Sequence, residues 1–259
     1  MFASCLPDLF ALGGRYVVEC SAKLEKLFRR SFASAVIQLS DQERADMSYL
    51  ATLPRFDWQI AAGSLPLYFR TSAADFNRRA GYLRADAERV GHWRARLERL
   101  GPGRKIGLSW RGGRSNTNQI HRSIDLASLA PLLSMRGVTF VSLQYGDCRA
   151  EIDEVRSLHN IVLHHWQDAI DDYDETAALV SALDLVVSVQ TAIVHLSGAL
   201  GKPVWVLVPS TPEWRYMAAG DRMPWYSSAR LFRQPAGQDW TPLIGELINE
   251  LNVGDQGNH

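Results

Sequence analysis

Short runs of apolar, β-branched residues alternate with helical periodicities along most of the chain, the pattern of a parallel sheet with crossover helices. In the first hundred residues, 15–20 (RYVVEC) and 34–39 (SAVIQL) read as strands, with helix-patterned 22–32 between them. Residues 56–69 read as a further strand, a Gly/Pro turn and a short helix. A longer helix follows. Asp86 can cap it, and Val90, Trp93, Leu97 and Leu100 recur at spacings that share one face. Gly101-Pro102-Gly103 ends it and marks the predicted boundary between a domain at 1–100 and a second at 104–252.

The second part carries five strand candidates, at 105–110, 138–144, 161–166, 185–189 and 203–208, with helices predicted over 126–133 and 174–184. Their near-continuous apolar character places helices on both faces of the sheet. That is a doubly wound α/β domain, whose ligands sit beyond the carboxyl ends of the strands. After the first strand come Arg111, the Gly112-Gly113 pair, Arg114 and Arg122; after the second, Gln144 and a turn with Gly146. After the fourth comes Gln190, then a short helix opened by Thr191 with His195 one turn on. The start of that helix leaves N–H groups unpaired and is suited to an anion. Ala192, Ser197, Gly198 and Ala199 are small enough to let it press on the sheet, Gly201 supplies the stop, and Pro203 opens the next strand.

Three strand ends thus converge on a cationic, Gly-rich pocket whose chemistry suits a nucleotide diphosphate. A plain packing account competes with this at each position. A small-residue helix between buried strands is a common solution, and a lone His195 is often a core residue. No G-x-G-x-x-G opens a helix, which counts against a nicotinamide or flavin site, and no G-x-S-x-G elbow supports a serine hydrolase. His164 and His165 lack a third ligand nearby and read as structural.

Composition narrows the class. Of 259 residues 46% are apolar and 22% charged, and 28 basic residues balance 28 acidic ones, so no global field calls for nucleic acid. The charge is uneven: 78–105 is rich in Arg and 147–175 in Asp and Glu, read as two solvated faces. Cys5, Cys20 and Cys148 show no metal spacing and fit reduced thiols. No apolar run reaches the ~18 residues of a membrane span, and no signal-peptide pattern precedes residue 20. A cytoplasmic protein without a bound metal is the expectation.

Residues 188–207 (SVQTAIVHLSGALGKPVWVL) resemble the donor-site motif of glycosyltransferase family 9, the ADP-heptose:lipopolysaccharide heptosyltransferases. With GLSWRGG, RSIDLASLAPLL, VSLQYGD and the 203–234 region, the chain resembles the family-9-like domains of bacterial tetratricopeptide-repeat proteins more fully, over residues 1 to about 250. The resemblance implies a GT-B fold of two Rossmann-like domains with a sugar nucleotide, as donor substrate and with no further cofactor, in the C-terminal one. Thr191 and Ala192 would then offer backbone N–H groups to the diphosphate, with His195 beneath it. Ser109, Arg111 and Gly112 would line the same cleft, with Gln144 beside them, and Arg122 would take the place of a phosphate-binding base.

Gln190 stands where the family usually has Asp. The family's first strand and its Gly-Asp loop, whose Asp is the candidate general base, have no counterpart ahead of the helix at Met1 to Leu9, and Asp8 is no substitute. The N-terminal domain is therefore expected to lack that strand, and no catalytic residue is assigned. The implied reading is a glycosyltransferase-like protein acting on an unknown glycan, lipid-linked or protein acceptor. A non-catalytic nucleotide-binding module and a nucleotide-sugar epimerase are the alternatives.

Overall fold

The computed structural model describes residues 1–40, 51, 55–76, 79–112 and 122–256. Helix α1 (Leu6–Phe10) leads into β1 (Tyr16–Cys20), α2 (Glu25–Ser31) and β2 (Ala35–Leu39). β1 and β2 pair in parallel from Tyr16 opposite Ala35 to Cys20 opposite Leu39, and among the described residues no third strand joins them. Phe28 and Phe32 pack with Cys5, Leu6, Cys20 and Ile37 in a small core beneath this pair. Asp8 is ion-paired with Arg70 at 2.8 Å and Arg79 at 2.7 Å, which ties α1 to the segment after α3 (Pro66–Phe69). The strand expected before α3 does not form. Phe56, Trp58 and Ile60 alternate with polar residues as a half-buried strand would, yet they are 48%, 92% and 44% exposed. Alternation alone makes no strand where neither a partner strand nor a core covers it.

Helix α4 (Ala87–Glu98) begins where Asp86 accepts from the N–H groups of Glu88 and Arg89, and it buries Trp93 and Leu97. The larger sheet follows: β3 (Arg104–Ser109), α5 (Ala130–Leu133), β4 (Val138–Ser142), α6 (Arg149–His159) and β5 (His164–His165) form its first half. Helices α7 (Gln167–Asp171) and α8 (Tyr173–Ala182) cross back to β6 (Leu185–Val189), α9 (Ala192–Ala199) and β7 (Val204–Val208). β8 (Arg222–Met223), β9 (Tyr226–Arg233) and α10 (Thr241–Gln256) complete it.

The sheet order is β5-β4-β3-β6-β7-β9-β8, parallel throughout except for β8. Apart from β8 this is the doubly wound order, and its reversal falls between β3 and β6. The α/β class is as expected. Two details differ: the strand at 161–166 shrinks to His164–His165, and β9 was not anticipated, because Ser227, Ser228 and Arg230 interrupt its apolar run.

Each face of the sheet has its own core. Val186, Val204 and Val206 pack against α4, α8 and α9, whereas Ile106, Val187 and Leu207 pack against α5, α6 and α10. Among the described residues no helix is long and apolar enough to cross a membrane.

The basic and acidic stretches are not two separate solvated faces. They meet each other. Arg89 pairs with Glu175, Arg96 with Asp168 at 2.9 Å, and the Trp93 indole N–H donates to Glu175 at 2.8 Å. From α2, Arg30 grips Asp174 with two bonds of 2.9 and 2.8 Å, and that carboxylate is only 3% exposed. Removing one partner of a buried pair leaves an uncompensated charge, whereas exposed pairs contribute little. Asp174→Ala should therefore destabilise the chain by about 3 kcal/mol. Asp168→Ala, at a side chain 62% exposed, should cost less than about 1 kcal/mol. Urea unfolding of the two variants measures the contrast.

Candidate functional site

At the reversal, Ser109 of β3 lies opposite Ser188 of β6, and the chain leaves the two strands toward different neighbours. The loop after β3 is held from β4 by Gln144. Its buried amide oxygen accepts from the N–H groups of Trp110 at 3.0 Å and Arg111 at 2.9 Å, and its NH₂ donates to the carbonyls of Tyr145 and Arg111. Ser109 donates its hydroxyl to the same amide oxygen at 3.4 Å. Both side chains are thus spent on shaping the loop. Arg111 turns to Asp147 and Glu151, donating to the Asp147 carbonyl at 2.6 Å. Gly112 sits where the loops cross, since a Cβ there would lie 2.9 Å from the Arg122 carbonyl oxygen and 3.1 Å from that of Gln190. Gly113 and Arg114 lie outside the described residues.

Thr191 has extended backbone, and its hydroxyl accepts from the Ile193 N–H at 3.2 Å as the cap of α9. That hydroxyl also meets Ser188 Oγ at 3.0 Å. It serves the helix, so what this turn offers outward is backbone N–H, next to the exposed Ala192. Gln190 is 1% exposed, yet among the described residues neither atom of its side-chain amide has a hydrogen-bond partner. An unpaired buried polar group costs about 1–3 kcal/mol, so such a group in a folded protein calls for a partner. Arg122 donates to the backbone carbonyl of Gln190 at 2.7 Å, which places its guanidinium at the start of α9.

His195 lies against the rings of Tyr216 and Tyr226, and its Nδ1 is 3.3 Å from the Tyr226 hydroxyl, itself bonded to Tyr82. Burial pushes the imidazole pKa down to about 3, with nearby positive charge, that of Arg215 included, adding to the effect. The residue is a neutral imidazole at physiological pH. Fixed positive charge beside α9 comes from arginines instead.

A loop that the sequence reading passed over brings one of them. Glu213 bridges Arg122 and Arg215, its two carboxylate oxygens 2.6 Å from one guanidinium and 2.5 Å from the other. Two residues after Arg215, Met217 takes φ 58°, a conformation that a non-glycine side chain adopts at a cost of about 1–3 kcal/mol. Arg233 holds this turn by donating to the carbonyls of Tyr216, Met217, Ala219 and Gly220 at 2.6 to 3.1 Å. The available signal was position: the segment PSTPEWRYM follows the carboxyl end of a strand and carries an acid and a base within three residues.

The neutral state of His195 has a pH consequence. Its pKa is about 6.5 when unfolded and about 3 when folded, so between those values the unfolded chain binds the extra proton. The stability it contributes is complete above pH 6.5 and is lost as pH falls toward 3. His195→Gln should flatten the slope of stability against pH between 6.5 and 4, read from urea midpoints; an unchanged slope would mean that the imidazole titrates freely.

No family model matches the chain. Protein FlbA of Caulobacter vibrioides is 34% identical over 264 residues, covering 97% of this chain and 44% of that protein. The chain thus spans less than half the length of the curated relative it matches. Among solved structures, Escherichia coli ADP-heptose lipopolysaccharide heptosyltransferase II is 17% identical, over 99% of this chain and 75% of that one, with a TM-score of 0.49. The glycosyltransferase family 9 protein from Veillonella parvula is 11% identical, over 98% and 69%, with a TM-score of 0.47. Escherichia coli heptosyltransferase WaaC with ADP-2-deoxy-2-fluoro heptose is 16% identical, over 96% and 77%, with a TM-score of 0.45.

Proposed function

We propose that the chain binds a sugar nucleotide across the reversal between β3 and β6, with the diphosphate at the start of α9, and that it is a glycosyltransferase-like protein. The observation that carries this reading is the buried amide of Gln190 at the turn into α9, without a partner among the described residues, where the Arg122 guanidinium is also held. A dipole end, a fixed cation and an amide with donor and acceptor unused describe a polar anionic ligand with hydroxyl groups. In this reading the N–H groups of Thr191 and Ala192 and the guanidinium of Arg122 hold the diphosphate. The amide of Gln190 meets sugar or ribose hydroxyls. Ser109, Arg111, Gly112 and Gln144 shape the facing wall, and neutral His195 supports α9 from below. Departure of a nucleoside diphosphate is aided by donors fixed in advance, which the arginine and the helix start supply.

A base for an acceptor hydroxyl is the unfilled role. Among the described acidic side chains around these loops, Glu151 and Glu213 are each paired with arginine, Asp147 lies near Arg149, and Asp8 of α1 is paired with two. That pairing favours, as the second reading, a module that binds the nucleotide without transferring sugar. Incubation with a radiolabelled sugar nucleotide separates the two, because only the first releases free or transferred sugar.

The shared part of both readings has a direct test. Ala192 is the first residue of α9, where proline is accommodated, and extended Thr191 before it suits a following proline. Ala192→Pro removes one N–H from the anion site. It should leave the urea midpoint nearly unchanged while weakening binding of ADP, GDP or UDP, whichever the wild type takes, about tenfold, the scale of one charge-assisted hydrogen bond. Calorimetric titration with these nucleotides would overturn the reading if none binds the wild type, or if the proline variant binds equally well.

A further inference from the structure

An anion already sits on the arginine beside the turn into α9, and it is part of the chain. We propose that the Glu213 carboxylate occupies the place between Arg122 and Arg215 that a ligand phosphate takes, so that it must leave for the ligand to bind and sets how much negative charge the ligand must bring. This rests on the diphosphate reading above.

The geometry is that of a bridging anion. One carboxylate oxygen is 2.6 Å from Arg122 and the other 2.5 Å from Arg215. The same Arg122 guanidinium donates to the carbonyl of Gln190 at 2.7 Å, so the bridge is anchored at the turn into α9. Neither arginine depends on Glu213 for its position. Arg122 has the Gln190 carbonyl, and Arg215 lies over the Trp214 ring at 5.0 Å. The guanidinium pair therefore stays in place when the carboxylate leaves. The side chain of Glu213 is 27% exposed, so it can swing into water, and the Arg122 guanidinium it leaves, at 19%, then calls for another anion.

The loop that presents it is specified from both sides. It carries a non-glycine residue at φ 58°, and one arginine, Arg233, ties four of its carbonyls. Strain of this kind persists only where surrounding contacts over-determine it. Trp214, next to the carboxylate, is 62% exposed, which leaves that side of the site open to solvent.

Charge decides which ligand wins. Two guanidinium groups and one carboxylate leave a single positive charge, and a monoanion gains little by exchanging with an internal carboxylate. A diphosphate brings several negative charges and more acceptor oxygens to the same two forks. Glu213 thus discriminates by charge, keeping chloride and simple carboxylates out of a site that would otherwise bind them.

Inorganic pyrophosphate and acetate, titrated by calorimetry into the wild type, E213Q and E213D, test this. E213Q removes the internal anion and nearly keeps its shape. It should bind pyrophosphate about tenfold more tightly than the wild type, on the scale of one charge-assisted pair, and should take up acetate measurably. E213D, too short to span both arginines, should fall between, and it carries the comparison if E213Q is unfolded at the assay temperature. Equal or weaker pyrophosphate binding by both variants, with the wild type binding, would overturn the proposal and make Glu213 a residue that positions the arginines. Pyrophosphate binding to none of the three proteins would remove the diphosphate reading itself, and this inference with it.

Discussion

The position of α9 depends on close approaches that leave no room for a side chain. At Gly198 a Cβ would lie 2.2 Å from the ring of Tyr226, at Gly201 2.6 Å from the Ala80 carbonyl oxygen, and at Gly81 2.8 Å from the Gly201 nitrogen. The carbonyl of Ala199 accepts from both Tyr82 and Leu83, so the segment before α4 closes the carboxyl end of α9. Thr191 closes the other end with its hydroxyl. A helix of eight residues fixed at both ends has little freedom to slide along the sheet. Its first turn is therefore held beside the ends of β3 and β6, where the sheet order reverses.

Burial and charge divide the labour around that helix. Tyr216 and Tyr226 surround His195 and strip it of water, which keeps the imidazole uncharged. A cationic imidazole there would oppose its own burial, whereas a guanidinium keeps its charge even where, as at Arg122, it is mostly buried. The same division appears elsewhere: Asp174, the one carboxylate buried among the described residues, is satisfied by a two-pronged arginine, whereas Asp168 of an outer pair stays 62% exposed. Packing places α9, and arginines supply the positive charge beside it.

Much of this was legible in the sequence, and for a physical reason. Parallel strands buried on both faces must be nearly all apolar, so β3, β4, β6 and β7 announce themselves, and the small-residue stripe of α9 follows from the close packing it has to achieve. Features that depend on a distant partner were not legible. The residues of β9 gain their partner only by lying beside β7, and Phe56, Trp58 and Ile60 have the right alternation with nothing to cover them. The charged stretches looked like solvated faces because local sequence carries no record that Arg89 of one meets Glu175 of the other. Glu213 and Arg215 were passed over for the same reason: the partner that draws Glu213 to the site, Arg122, lies some ninety residues earlier.

Two glutamines close the comparison between scaffold and site. Gln144 and Gln190 both follow strands of the same sheet, both are nearly inaccessible, and the sequence offers nothing to separate them. Gln144 uses both ends of its amide on the backbone of the adjoining loops, which fully accounts for a buried polar residue there. Gln190 uses neither on any of the described residues. An apolar residue of similar volume would fill its place at lower cost, since a buried amide without partners is unfavourable. The same amide type is thus structural at one strand end and unexplained by structure at the other. The unexplained one lies where Arg122, Thr191 and the start of α9 come together.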